Sequence, residues 1–357
     1  PLKSEVGPPW VRYRHLRDLA GVPPDALEAR AALEDLLAAP EVRVLLADVA
    51  SWPGTVLASH RSPSQTFHSL GFLAELLAGS GLGAGTAPKT ATAAPEAPDS
   101  QGPGAAAGPN AAASIGAAVA RIRERTGPDG IPRLPMTYPE HFGGPRVETW
   151  AWALCDAPIL LRTRVRFGGA SEPLVRKGIR SLVSLAEPFG WTCRVAPELG
   201  SFRGPGKKTE PCPFATLIML ELLAALREEA PENSEARNPA EGPEAATGIE
   251  ALLDCWERSG ERHPYMFFMG TDFRKLKAPG LWYDIIHVTD VLSRFPRARK
   301  DPRFRDMLSV LRAKARPDGT FVPESVYQPY KAWDFGQKKE ASPWIALAVE
   351  RILLRLN

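Results

Sequence analysis

The chain has 357 residues, and its 44 lysines and arginines nearly balance 41 aspartates and glutamates, for a formal net charge of +3. This balance, and the lack of a long basic run, argue against a protein that binds nucleic acid or an anionic membrane surface. The 36 prolines and 30 glycines are many for a helical chain and predict numerous loops or an unstructured insert.

The four cysteines, at positions 155, 193, 212 and 255, lie far apart in a chain too long to need disulfide bonds, so we expect reduced thiols. Residues 1–5 lack the apolar core of a signal peptide, and no apolar run reaches the roughly 18 residues of a membrane span. We therefore expect a cytoplasmic protein without a membrane-spanning segment.

Two segments of the chain are poor in core-forming residues. Residues 79–114 are mostly Gly, Ala, Pro, Ser and Thr, and residues 228–247 are acidic and rich in Pro, Ala and Gly. Neither segment buries enough apolar area to offset the entropy of ordering it, so we expect two flexible inserts. Since the same structural unit recurs on either side of each insert, residues 1–357 are predicted to form a single domain.

That unit is a helix, a long loop with glycine and aromatic residues, and a second helix, at a period of roughly 50 residues. The predicted pairs are 43–49 with 67–77, 115–126 with 149–164, 174–185 with 212–226, 249–259 with 283–294, and 304–315 with 342–356. Apolar residues surround the second helices, as in 213–220, whereas the first helices carry charge on one side. Buried helices inside a ring of amphipathic ones predict an all-α fold, the α/α toroid.

Helix-pair repeats with a glycine-aromatic loop, here residues 317–321, resemble the α/α toroid of terpenoid cyclases and of the β subunits of protein prenyltransferases. The resemblance covers most of the chain outside the two inserts. It implies the same fold, with a central cavity among the inner helices.

Metal-ligating side chains recur near the starts of the predicted second helices, at His68, Cys155, Cys212 and His287. In a toroid these helix starts converge on one end of the cavity, and thiolate and imidazole groups together suit a tetrahedral zinc ion. Free cysteines are also common core residues that behave as small hydrophobic groups, so this second interpretation stays open.

The resemblance to prenyltransferase β subunits implies a ligand set for Zn²⁺. Those subunits use Asp-x-Cys followed by the His of Asp-x-x-His, and this chain has Glu210 and Cys212 followed by Asp284 and His287. By this resemblance Glu210, Cys212 and His287 are the zinc ligands, with Asp156 or Cys155 facing the same cavity.

The resemblance also implies a site for a prenyl diphosphate, which needs convergent arginines and lysines. Arg203 and Lys207 precede Cys212 where the β subunits place such residues, and Lys277 stands where geranylgeranyl-transferring members have lysine. Arg274 lies beside Lys277 in the sequence, and Trp282 suits the wall of an isoprenoid site. Lysines in loops are more often simply solvated.

These assignments predict a zinc-dependent prenyltransferase-like enzyme with Tyr283, Asp284 and Asp156 in catalytic roles. The expected ligand is an isoprenoid diphosphate or another apolar small molecule, and a second protein subunit is an expected partner. Three alternatives stay open: a zinc-dependent hydrolase, a lyase using Tyr283, His287 and Arg274, and a non-catalytic toroid that binds an apolar ligand. Terpenoid cyclisation is disfavoured because no Asp-x-Asp-Asp acid occurs.

Overall fold

A computed structural model describes residues 7–59, 62, 64–83, 110–138, 140, 143–200, 209–230, 232, 234–264 and 267–356. Across these ranges the chain forms fourteen α-helices and only short strands, so the all-α prediction is confirmed. None of the helices in the described ranges is long and apolar enough to cross a lipid bilayer.

The helices are named in chain order. The first seven are α1 (Pro9–Asp18), α2 (Leu27–Ala38), α3 (Pro40–Ala50), α4 (Thr66–Leu76), α5 (Ala111–Glu124), α6 (Ala157–Arg164) and α7 (Pro173–Val183). The next seven are α8 (Pro213–Glu229), α9 (Asn238–Glu241), α10 (Pro243–Glu257), α11 (Ile285–Ser293), α12 (Pro296–Arg299), α13 (Pro302–Arg312) and α14 (Pro343–Leu354). The strands are β1 (Leu134–Met136), β2 (Thr149–Ala151), β3 (Lys277–Ala278) and β4 (Ser325–Val326), which pair β1 with β2 antiparallel and β3 with β4 parallel.

Many of the prolines start helices rather than fill loops. Helices α3, α8, α10, α13 and α14 each begin with proline. The first backbone amides of a helix have no partner within it, so proline costs little there. Side-chain caps add to this: Asp284 accepts hydrogen bonds from the amides of Ile286 and His287. The proline excess therefore reflects helix starts as well as loops.

Burial follows the predicted contrast between first and second helices. Every residue from Pro213 to Leu226 of α8 is buried, whereas α13 buries only Phe304, Met307, Leu308 and Leu311. We call α4, α6, α8, α11 and α14 the core helices. They contact one another in that order along the chain. Phe72 of α4 also contacts Trp344 of α14, with ring centroids 5.8 Å apart.

The outer helices pack against the core helices. α3 packs on α4, α7 on α6, α10 on α8 and α13 on α11, while α1 packs on α14. Of the predicted pairs, α3 and α4 contact each other directly, while α7 with α8, α10 with α11 and α13 with α14 each share a neighbouring helix. Helix α5 instead packs on α3.

One predicted helix is wrong in its first half. Residues 149–164 were expected to be helical throughout, but Thr149–Ala151 is strand β2 and α6 begins only at Ala157. Threonine and tryptophan favour strands. In addition, the guanidinium of Arg125 stacks on Trp150, with the Cζ atom 4.2 Å from the centroid of the indole ring. Pairing with β1 and this stacking outweigh the apolar pattern.

The two predicted inserts are only partly described. Residues 84–109 of the first lie outside the described ranges, and α5 begins inside its C-terminal end, capped by the side chain of Asn110. The second contains a 3₁₀ turn at Glu235–Arg237, helix α9 and the start of α10. The flexibility of both segments and the single domain stay predictions.

Candidate functional site

A small cavity lies among the five core helices. Its volume is about 90 Å³, and every core helix contributes to its wall, together with the loop 279–281. Its lining from the helices is His68, Gly71, Phe72 and Glu75 of α4, Ile159 and Arg162 of α6, Ile218 and Glu221 of α8, Ile286, His287 and Asp290 of α11, and Trp344, Ala348 and Arg351 of α14. We call it the central cavity.

Charged side chains cross the interior beneath the central cavity. Such groups are rarely buried unless paired. We define the buried ionic network as Arg162, Arg166, Arg294, Arg351 and Arg355 with Glu75, Glu221, Glu228 and Asp290.

Two carboxylates hold most of the buried ionic network together. Glu75 Oε1 lies 3.0 Å from Arg166 Nε and 3.5 Å from Arg162 Nη1. Asp290 lies 2.7 Å from Arg294 Nη2 and 2.8 Å from Arg355 Nη1. The network therefore joins all five core helices, and a kinked segment after α6, Val165–Gly169, brings Arg166 into it.

The arginines keep these buried carboxylates ionised. Burial raises the pKa of Glu75, but the charges of Arg166, Arg162 and Arg294 outweigh it and hold that pKa well below its usual range. Asp290 behaves in the same way, since Arg294 among other arginines overcomes burial and holds its pKa well below the ordinary value.

His287 is one of two histidines in this wall, the other being His68. Its Nδ1 lies 2.6 Å from the carbonyl oxygen of Trp282, which fixes a proton on Nδ1 and leaves Nε2 to titrate. Nε2 lies 3.4 Å from Glu221 Oε2 but has no aligned hydrogen-bond partner. Burial lowers the pKa of His287, but the charge of Glu221 outweighs it, so that pKa is raised.

A second cavity opens at the C-terminal ends of the core helices. Its volume is about 280 Å³, and it shares Glu75, Arg294 and Arg351 with the central cavity. Helix α1 contributes Arg14 and Asp18 to it. The buried ionic network thus separates two cavities on one axis.

The zinc-dependent function predicted from the sequence is wrong. Among the residues described, no group of three or more His, Cys, Asp or Glu side chains is placed to hold a metal ion. Cys212 caps α8 and contacts two other thiols, whereas His287 faces Glu221. Glu210 instead contributes, after burial, to raising the pKa of Cys255 to about 12. Zn²⁺ binding itself stays a prediction, since residues 201–208 lie outside the described part.

The predicted catalytic residues serve as caps or core groups. Asp284 and Asp156 stand at the starts of α11 and α6, and Asp156 accepts a hydrogen bond from the amide of Ala153. Burial raises the pKa of Asp284 to about 6, and its Oδ2 has no hydrogen-bond partner. The hydroxyl of Tyr283 is also buried without a partner. None of these side chains lines the central cavity as described.

The predicted substrate residues are not gathered at the central cavity. Arg203 and Lys207 lie outside the described residues. Arg274 stacks on Trp256 of α10 at 4.8 Å, and Lys277 pairs with Asp272 at 2.7 Å. Trp282 lies beside the cavity, where its ring is 4.1 Å from that of Phe214, between centroids. Because Arg274 faces α10, the lyase set of Tyr283, His287 and Arg274 is not assembled either.

Sequence reasoning missed the charged residues of the cavity wall. The available signal was an acidic residue inside an otherwise mostly apolar stretch of helix, as Glu221 in α8 or Asp290 in α11. Such a residue is seldom buried without a partner, so each one would have indicated an ion pair in the interior.

Comparison with models of known families, with curated proteins and with solved structures finds no match to this chain. The resemblance to terpenoid cyclases and prenyltransferase β subunits therefore stays a prediction.

Proposed function

We propose that the core helices close into an α/α toroid whose central cavity binds a small anion, with His287 transferring a proton to or from it. Two observations support the closed ring: each core helix contacts the next one along the chain, and Phe72 of the first contacts Trp344 of the last. The proposal involves no metal ion.

One observation carries the choice of an anion. Four side-chain atoms in the described wall of the cavity are buried without a hydrogen-bond partner, and all are nitrogens: Arg162 Nε, His287 Nε2, Arg294 Nη1 and Arg351 Nε. The carboxylates Glu75, Glu221 and Asp290 each have an arginine partner. Unmet donors are costly in an interior, and a ligand rich in oxygen acceptors satisfies them.

The volume limits the size of the ligand. A water molecule takes up about 30 Å³ in the liquid, so a cavity of this volume has room for roughly three water-sized groups. This fits a small carboxylate. Because all four of these nitrogens are nearly inaccessible, side chains of the wall, including Glu221, have to shift before a ligand reaches them.

The ring of His287 is arranged for proton transfer. The carbonyl oxygen of Trp282 accepts a hydrogen bond from Nδ1, and the charge of Glu221 favours protonation at Nε2. A general acid or base works best when its pKa is near the working pH. A protonated His287 also adds positive charge for an anion, so we expect anion binding to weaken as the pH rises through its raised pKa.

The test is a titration of the protein, with ring-labelled histidines followed by NMR, against sodium acetate at constant ionic strength. We expect the His287 signal to move, and to titrate above the ordinary histidine pKa. His287→Gln should weaken acetate binding about tenfold or more, because a hydrogen bond to a charged group is lost.

His263→Gln is the matched control, since His263 is exposed and lies outside the cavity lining. It should leave binding unchanged. An acetate response no larger than that of chloride, or one unaffected by His287→Gln, would contradict the proposal.

A further inference from the structure

Three cysteines from separate parts of the chain meet beside the start of α8. The thiol of Cys155 is in hydrogen-bonding contact with those of Cys193 and Cys212, and Cys193 also contacts Cys212. We call these three side chains the thiol cluster. The fourth cysteine, Cys255, lies on α10 and is only 2% exposed.

Backbone pairing explains why Cys155 and Cys193 face each other. Ala153 and Val195 form an antiparallel bridge, and the amide of Leu154 donates to the carbonyl of Arg194 at 2.9 Å. Cys155 lies two residues after Ala153, and Cys193 lies two residues before Val195. Antiparallel pairing places such residues opposite each other, with their side chains on one face.

A second backbone contact brings in the third thiol. The amide of Cys212 donates to the carbonyl of Trp191 at 2.7 Å, which sets the start of α8 against the segment that carries Cys193. The Sγ atom of Cys212 accepts from the amide of Ala215 at 3.5 Å. Cys212 is 4% exposed, whereas Cys155 and Cys193 are only half-buried.

We propose that Cys155 and Cys193 form a reversible disulfide by exchange with small disulfides, so that the thiol cluster is a redox modification site. One cysteine thiolate attacks a sulfur of the small disulfide and releases the first small thiol. The other cysteine then attacks the protein sulfur of the mixed disulfide and releases the second small thiol. Two protein thiols are oxidised, one small disulfide is reduced to two thiols, and no further reactant is needed.

The reaction depends on pH through the attacking group. Only the thiolate attacks a disulfide, so the rate should increase with pH. The site is therefore expected to respond faster in alkaline buffer than at neutral pH.

The experiment treats the folded protein with oxidised glutathione, blocks the remaining thiols and maps tryptic peptides by mass spectrometry. The four cysteines fall in four different tryptic peptides, 147–162, 181–194, 209–227 and 238–258. We expect the loss of two of the four free thiols and one linked product, 147–162 with 181–194. Dithiothreitol should restore all four thiols.

Serine variants distinguish the thiols, and a thermal melt of each variant confirms that it folds. Cys193→Ser should abolish the link, whereas Cys212→Ser and the matched control Cys255→Ser should keep it. Retention of all four thiols across the pH range, a link through Cys255, or a link only between two chains would overturn the proposal. None of these results bears on the anion site of the central cavity.

Discussion

Replacing Asp290 by asparagine is expected to lower the free energy of unfolding by about 3–5 kcal/mol, because it removes a buried carboxylate that Arg294, Arg351 and Arg355 share. Asp290 lies 2.7 Å from Arg294 and 2.8 Å from Arg355, and its side chain is 13% exposed. Urea denaturation at neutral pH measures this loss directly.

Asp35→Asn is the control for Asp290→Asn. Asp35 pairs with Arg12 at 3.1 Å, but the two side chains are 58% and 35% exposed. Exposed ion pairs contribute at most about 1 kcal/mol, so this variant should unfold almost as the wild type does. Equal losses in the two variants would show that the buried ionic network does not depend on Asp290.

The pH dependence follows from the lowered pKa of Asp290. A carboxylate whose pKa is lower in the folded state stabilises the fold above its unfolded pKa, about 3.9 for aspartate. This contribution is lost as the pH falls through the folded pKa. The difference between wild type and Asp290→Asn should therefore persist at neutral pH and shrink in acid.

Gly130→Ala is expected to lower the free energy of unfolding by about 2–5 kcal/mol. The φ angle of Gly130 is +81°, which costs other residues about 1–2 kcal/mol. An added Cβ would also lie 2.5 Å from the carbonyl oxygen of Leu174, in the first turn of α7. Such overpacking adds about 1–3 kcal/mol. Thermal or urea denaturation measures the sum.

Gly319→Ala separates the two effects. Gly319 has the same φ of +81°, but an added Cβ meets nothing within 4 Å. Its loss should therefore be limited to the backbone cost of about 1–2 kcal/mol. If both variants lose the same stability, the close approach of Gly130 to α7 does not constrain the fold.

The helices were predictable because their stability comes from local patterns. Residues 67–77 and 304–315 were predicted as helices, and α4 and α13 lie within one to three residues of those bounds. Residues 149–151 were not predictable as a strand, because their partner β1 and the cation above Trp150 come from other parts of the chain. The apolar pattern of that region alone indicated a helix.

The candidate site was predictable in its place but not in its chemistry. His287 was singled out as a cavity residue, and it does line the central cavity. Its partner Glu221 lies more than 60 positions earlier in the sequence, in α8, and only the packing of α8 against α11 brings the two together. The resemblance to prenyltransferase β subunits implied a metal ligand at Cys212, but the start of α8 directs that thiol toward Cys155 and Cys193.

The contact between α1 and α14 has a consequence for how the protein is made. Arg351 of α14 lies 3.4 Å from Asp18 of α1 and 3.4 Å from Asp290 of α11. Proteins emerge from the ribosome N-terminus first, so α1 and α11 leave before the helix that joins them has been synthesised. Until then Asp18 lacks Arg351, Asp290 lacks both Arg351 and Arg355, and the nascent chain exposes the apolar faces that α14 will cover. We therefore expect ribosome-bound chains to engage chaperones until α14 emerges.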